Sequence, residues 1–313
     1  MALNRSGGIS RAVVGTCEVG ESAMLENRER AAPPRTQVVR WGRWYPKDSQ
    51  GFLISDTAPT LIREPFRSAV DEAIETIPRR VEGLLSLVLR GSVPRGLGRT
   101  DRSDLDFVVF LDEGANDPPN TVQLASDLGE RHGLRGRVDI EWVRWSEVCR
   151  SRSLRYFKYI VSFQSLLLAG ADLSVEVPRY RVSPELATLL PQLEARRQHA
   201  QTLLGDSGFL PGVCAWLSRS VIRAAFELTL SADGRYSRDL SLCAEAFSSA
   251  YPSMSGHMET VMHAAINPSP ARDSVERLLQ LCAFVVEERG RLCTASEADL
   301  RQFRRRHGSG SRT

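Results

Sequence analysis

The sequence predicts an α+β protein, with strands and helices mixed in an N-terminal unit and helices alone in a C-terminal one. Two features carry this. Up to about residue 177, short apolar, β-rich runs at 86–89, 105–110 and 137–143 alternate with segments of helical periodicity. Beyond a linker bounded by Pro178 and Pro184, only helical periodicity remains.

The first two runs enclose the most informative stretch. Ser86-Leu87-Val88-Leu89 leads into Arg90-Gly91-Ser92, and after eleven residues, Val93 to Ser103, comes Asp104-Leu105-Asp106-Phe107-Val108-Val109-Phe110. A strand has period two, so Asp104 and Asp106 project from one face while Leu105 and Phe107 project from the other. Two carboxylates crowded on one face repel, and a divalent cation between them relieves the repulsion; Mg²⁺ favours a few carboxylates with substrate phosphate oxygens. Gly91 permits a tight bend, into a helix or turn whose free N–H groups can hold an anion. Arg90, Arg95, Arg99 and Arg102 add positive charge. The combination suits a nucleoside triphosphate with its metal; a solvated strand end beside a polar turn would explain the acids but not the Gly-Ser bend and the arginines.

This pattern, apolar-Gly-Ser followed at that spacing by Asp-apolar-Asp-apolar, resembles the signature of the DNA polymerase beta-like nucleotidyltransferase superfamily, and Arg90-Gly-Ser-Val-Pro-Arg-Gly96 with Ser103-Asp-Leu-Asp106 looks like its small bacterial and antibiotic-modifying members. The resemblance implies an N-terminal polymerase-beta-like catalytic domain, a mixed sheet with helices, over residues 36–177. It implies two Mg²⁺ ions on Asp104 and Asp106, and ATP or another nucleoside triphosphate at Gly91, Ser92 and Arg95. Its third carboxylate comes from a neighbouring strand. In Arg137-Val138-Asp139-Ile140-Glu141-Trp142-Val143 the alternation sets Asp139 and Glu141 on one face. Asp139 matches the family pattern better, with Glu141 the alternative metal ligand and an exposed acidic face the plain reading. Asp139 on the second metal would accept the acceptor's proton as the hydroxyl attacks the α-phosphorus and pyrophosphate leaves.

Composition sets the outer bounds. The chain has 313 residues, room for two domains, with 42% apolar and 25% charged residues, ordinary for a globular protein. A net charge of +3 is too small to argue for nucleic-acid binding. Only Lys47 and Lys158 are lysines, so single arginines say little about bidentate recognition. Six cysteines, Cys17, Cys149, Cys214, Cys243, Cys282 and Cys293, are scattered with no C-x-x-C pair and no signal peptide ahead of them, which reads as reduced thiols in a cytoplasmic protein. No apolar run is long enough to span a membrane.

In chain order, residues 1–35 lack apolar periodicity and read as disordered. Residues 38–54 carry Trp41, Trp44, Tyr45 and Phe52 among turn residues, a short hairpin or an arm packed on the catalytic domain. A helix is expected over about 60–84 with Thr60 as N-cap, another over about 121–131 opened by Asn120 and closed by Gly133, and a third over 154–169 ending at Gly170. That third helix holds Lys158; related enzymes place a basic residue near here on the triphosphate, and a surface lysine is the plain alternative. Helices at about 184–204, 210–232, 237–250, 254–266 and 270–294 read as an antiparallel bundle, assigned to residues 178–300. Its centre, from Trp216 to Leu240, resembles the helical C-terminal domain of aminoglycoside adenylyltransferases. On that resemblance Arg219, Arg223, Arg238 and Asp239 face the shared cleft and contact the triphosphate or a polyhydroxylated acceptor; helix-surface charges and an N-cap network around Asp239 would explain them equally. Residues 301–313 read as a solvated basic tail, where the Arg301 and His307 spacing is coincidence.

The expectation is therefore a Mg²⁺-dependent nucleotidyltransferase moving AMP from ATP onto a hydroxyl of a small aminoglycoside-like acceptor, without membrane contact. The competing expectation is a nucleotidyltransferase-like regulatory or antitoxin-type protein that modifies or binds a protein or tRNA partner.

Overall fold

The computed structural model describes residues 41–118, 120–207, 211–268 and 272–295; the expectations for 1–35 and 301–313 lie outside the described residues. The architecture is α+β. In chain order come α1 (Phe66–Arg80), β1 (Leu84–Arg90), β2 (Leu105–Leu111), α2 (Thr121–Arg131), β3 (Val138–Arg144), α3 (Trp145–Arg150), α4 (Arg155–Tyr159) and β4 (Ser165–Gly170). Then follow α5 (Leu193–Ser207), α6 (Pro211–Glu227), α7 (Leu230–Asp233), α8 (Leu240–Ala250), α9 (Ser255–Ile266) and α10 (Arg272–Thr294).

The four strands form one mixed sheet in the order β3-β2-β1-β4, with β2 and β3 parallel and β1 antiparallel to both its neighbours. Alternation along the strands builds two cores. Leu87, Leu89, Leu105, Phe107, Val109, Leu111 and Ile140 pack against α1 and α2, while Val88, Val108, Phe110 and Val143 pack against Trp145, Val148, Phe157 and Ile160. A third core belongs to the helices around α6, and Tyr45, Leu53, Tyr159 and Phe163 join it.

Three expected elements differ. The helix expected from Thr60 begins at Phe66, with Pro65 at its N-cap position and a separate turn at Pro59–Leu61, because proline punctuates the segment. The helix expected over 154–169 is only the five-residue α4, then a π turn at Ile160–Gln164, then the edge strand β4. Gly170, at φ +83, packs a would-be Cβ position 2.2 Å from the carbonyl oxygen of Leu85, a closeness only glycine allows beside β1. The first bundle helix starts at Leu193, after two proline-led turns at Pro184–Leu186 and Leu190–Gln192.

Residues 41–54 form an arm that includes a short hairpin, Lys47 bridging Leu53 antiparallel. The backbone N–H of Tyr45 donates to the Tyr236 carbonyl (2.9 Å), that of Trp41 to Ser241 Oγ (2.9 Å), and Lys47 to the carbonyl of Gly234. Trp44 packs on Phe226 under the guanidinium of Arg235. The aromatics therefore serve packing, mostly against the helical half.

Candidate functional site

β2 and β3 run parallel and in register, Asp106 opposite Asp139, and β1 brings Arg90 opposite Asp106 from the other side. Period two then sets Arg90, Asp106, Asp139 and Glu141 on the same sheet face as Val88, Val108 and Phe110, at the end where that core stops. Asp104, two residues ahead of Asp106, joins them. The structure brings Asp106 and Asp139 side by side and sets Asp104 near enough to feel both.

The bend after β1 is a turn, with Gly91 at φ +93. A Cβ there would stand 3.0 Å from Asp106 Oδ2, so glycine keeps the space over that carboxylate clear. Ser92 closes the loop: its hydroxyl donates to Ser103 Oγ (3.0 Å), which accepts the Arg99 N–H (2.8 Å), and Asp104 is thereby fixed at the mouth of β2.

Burial pushes the Asp104 carboxyl upward, and Asp106 adds to this, while Arg219 and Arg137 oppose it. Asp139 is exposed on the strand, yet partial desolvation raises its carboxyl and Asp106 raises it further, against Arg90. Glu141 is raised by burial, then held back by Arg90. The centre is short of positive charge. Arg90 meets part of that need, its Nη2 lying 3.8 Å from both Asp106 Oδ1 and Glu141 Oε2.

The arginines of the loop are spent elsewhere. Arg95, expected on the triphosphate, is 2% exposed, donating to Asp56 Oδ1 (2.7 Å), Asp239 Oδ2 (2.9 Å) and the Arg43 carbonyl (2.8 Å) while stacking over Tyr45. It is a buried strut between loop, arm and α8. Asp239 sits at the N-cap position of α8 but makes no capping bond; its carboxylate serves Arg95 and the Arg43 N–H instead. Arg99 and Arg102 both bind Asp101. Lys158 donates to the Cys149 carbonyl (3.1 Å), tying α4 to α3, so the plain reading of that lysine fits its contacts.

Free positive charge comes instead from the helical half. Arg219 and Arg223 stand one turn apart on α6, and Arg196 projects from α5. Among the described residues none of the three has a carboxylate within ion-pair distance, and their hydrogen bonds go to neutral atoms: Ala215 O, Arg238 O, and for Arg196 Ser220 Oγ and Gln192 Oε1. Arg196 Nε is buried with no partner. Burial and the nearby Arg238 push Arg223 down to about 10 and lower Arg196 as well. Arg238 itself lies 3.8 Å from buried Glu227 and over the ring of Tyr156, whose hydroxyl accepts from Arg90 Nη1 (3.0 Å). Tyr156 and Arg196 stand in no motif, and only the resemblance of the stretch from Trp216 to Leu240 points to Arg219, Arg223, Arg238 and Asp239.

Magnesium takes hard oxygen donors in near-octahedral array and keeps several waters. Asp104, Asp106 and Asp139 offer only carboxylate oxygens on one face, at a point short of positive charge, so the donor set fits in kind. Among the described residues no three His, Cys, Asp or Glu side chains are arranged as a metal-binding group. No helix of the described residues is long and apolar enough to cross a membrane.

No protein-family model matches the chain, and no curated protein matches it.

Proposed function

We propose that this protein is a Mg²⁺-dependent nucleotidyltransferase, moving a nucleoside monophosphate, AMP from ATP in the simplest case, onto a hydroxyl of a small polar acceptor with release of pyrophosphate. The observation that carries the reading is the meeting of Asp106 and Asp139 across adjacent parallel strands, with Asp104 beside them and the Gly91 bend open above Asp106. Three arginines without carboxylate partners then favour a polyanion in the same region.

Asp104, Asp106 and Asp139 would hold two Mg²⁺ ions, with Glu141 flanking them; when bound, such ions neutralise phosphate charge and ease departure of pyrophosphate. The chain's own residues do the rest. Arg219, the arginine that offsets Asp104, and its neighbours Arg223 and Arg196 take the β- and γ-phosphates. Asp139, raised by partial desolvation, receives the acceptor's proton as the acceptor oxygen bonds to the α-phosphorus and the bond to the β-phosphate oxygen breaks. Gly91, at φ +93, leaves the phosphates room where a Cβ would press on Asp106 Oδ2.

The test is pyrophosphate release from ATP, GTP, CTP and UTP with Mg²⁺, offering aminoglycosides, tRNA and cell-lysate protein as acceptors and finding by mass spectrometry which gains a nucleotide. Asp104→Asn is expected to lower kcat by about a hundredfold or more rather than raise KM. Near-normal turnover in that variant overturns the assignment.

A further inference from the structure

Among the described residues Arg90 is the cation within ion-pair distance of Asp106 and Glu141, and its contacts are uneven. It donates firmly to Tyr156 Oη at 3.0 Å, yet stands 3.8 Å from both Asp106 and Glu141, close enough for ion pairing and too far for a hydrogen bond. Its Nε is buried with no partner at all. The guanidinium is thus held by charge between two acids without the donor geometry that would lock it there. Tyr156 lies beneath Arg238 as well, so the phenol joins Arg90 to the cationic side of the cleft.

We propose that Arg90 is a positioning residue that makes metal and nucleotide bind together: it occupies the charge deficit of Asp106 and Glu141 when the site is empty and repels a divalent cation that arrives alone. A triphosphate entering beside it supplies the opposite charge and draws the guanidinium toward the phosphates, on the side of Tyr156, which frees Asp106. The inference rests on the nucleotidyltransferase reading and deepens it. A charge this near a carboxylate ligand weakens cation binding because the pair is partly buried and poorly screened. It also means that divalent ions alone do not hold the protein in its loaded form.

The experiment is a titration with Mn²⁺ followed by electron paramagnetic resonance, without nucleotide and with a non-hydrolysable triphosphate. In wild type, Mn²⁺ alone is expected to bind weakly and Mn²⁺ with the triphosphate tightly. Arg90→Gln is expected to bind Mn²⁺ alone at least about tenfold more tightly than wild type. Arg90→Lys, which keeps the charge, stays at the wild-type weakness and so separates charge from packing. Should Arg90→Gln fail to fold, the Arg90 Nε–H resonance of the wild type, assigned by its loss in Arg90→Lys, is expected to move when Mg²⁺ and the triphosphate are added together and to stay put with Mg²⁺ alone. Unchanged or weaker binding of Mn²⁺ alone to a folded Arg90→Gln, or a resonance that ignores the loaded complex, overturns the inference. Wild type that binds Mn²⁺ neither alone nor with triphosphate overturns the nucleotidyltransferase reading itself.

Discussion

Replacing Arg223 by methionine is expected to make the protein more stable and worse at holding a polyphosphate. The guanidinium stands one helical turn from Arg219 and close to Arg238, without a carboxylate partner, and burial first, then Arg238, pushes its pKa down to about 10. At about 1.4 kcal/mol per pH unit this is a cost of about 2–3 kcal/mol. A base whose folded pKa is depressed destabilises the fold in full at every pH below that value, and the cost begins to fall as pH passes about 10 and is gone only above the ordinary arginine value. Methionine removes the charge and keeps most of the packing, but loses the hydrogen bond from Nε to the Arg238 carbonyl, worth about 1 kcal/mol. The net expectation is a gain of about 1–2 kcal/mol in urea unfolding at pH 7. Tripolyphosphate, titrated against tryptophan fluorescence, should bind about tenfold more weakly, the worth of one charge-assisted contact. A variant that is less stable than wild type and binds tripolyphosphate equally would show that the arginines of α6 are structural.

Further expectations concern the rest of the centre. Arg95→Met strands Asp56 and Asp239 in a buried setting and should cost about 3–5 kcal/mol of stability, read by denaturant unfolding. Because Asp104, Asp139 and Glu141 are raised by desolvation, each opposes folding once pH rises above its unfolded value near 4, so the metal-free protein should lose stability through the mildly acidic range as pH increases, and Asp139→Asn should flatten that slope in a melting series while abolishing turnover. Lys158→Met should leave kcat and KM within about twofold of wild type, since the ammonium serves a carbonyl between α3 and α4.

What could be read in the sequence follows from how local each feature is. The acids on β2 and β3 were legible because strand period fixes their face and the glycine bend fixes the approach to it. α2 was legible to the residue, Asn120 accepting the N–H of Gln123 and Gly133 ending the turn at φ +66. β4 was not, because Ser165-Leu-Leu-Leu-Ala-Gly170 is a short apolar run in which helix and strand look alike until β1 offers its edge. Arg95 was misread for a different reason. Its partners lie 39 and 144 residues away, and a positive charge beside a phosphate-type loop looks the same whether it is free or already paired. The same distance in sequence hid Arg196 and Tyr156, which matter only once α5, α6 and α4 come together.

The most direct measurement is calorimetric titration of a non-hydrolysable nucleoside triphosphate into the protein, with and without Mg²⁺, beside Asp106→Asn. One triphosphate per chain, bound only when Mg²⁺ is present and lost in the variant, is the expected result. Equal binding without the metal or to the variant, or no binding to the wild type, would contradict the claim that these aspartates and arginines form a metal-triphosphate site.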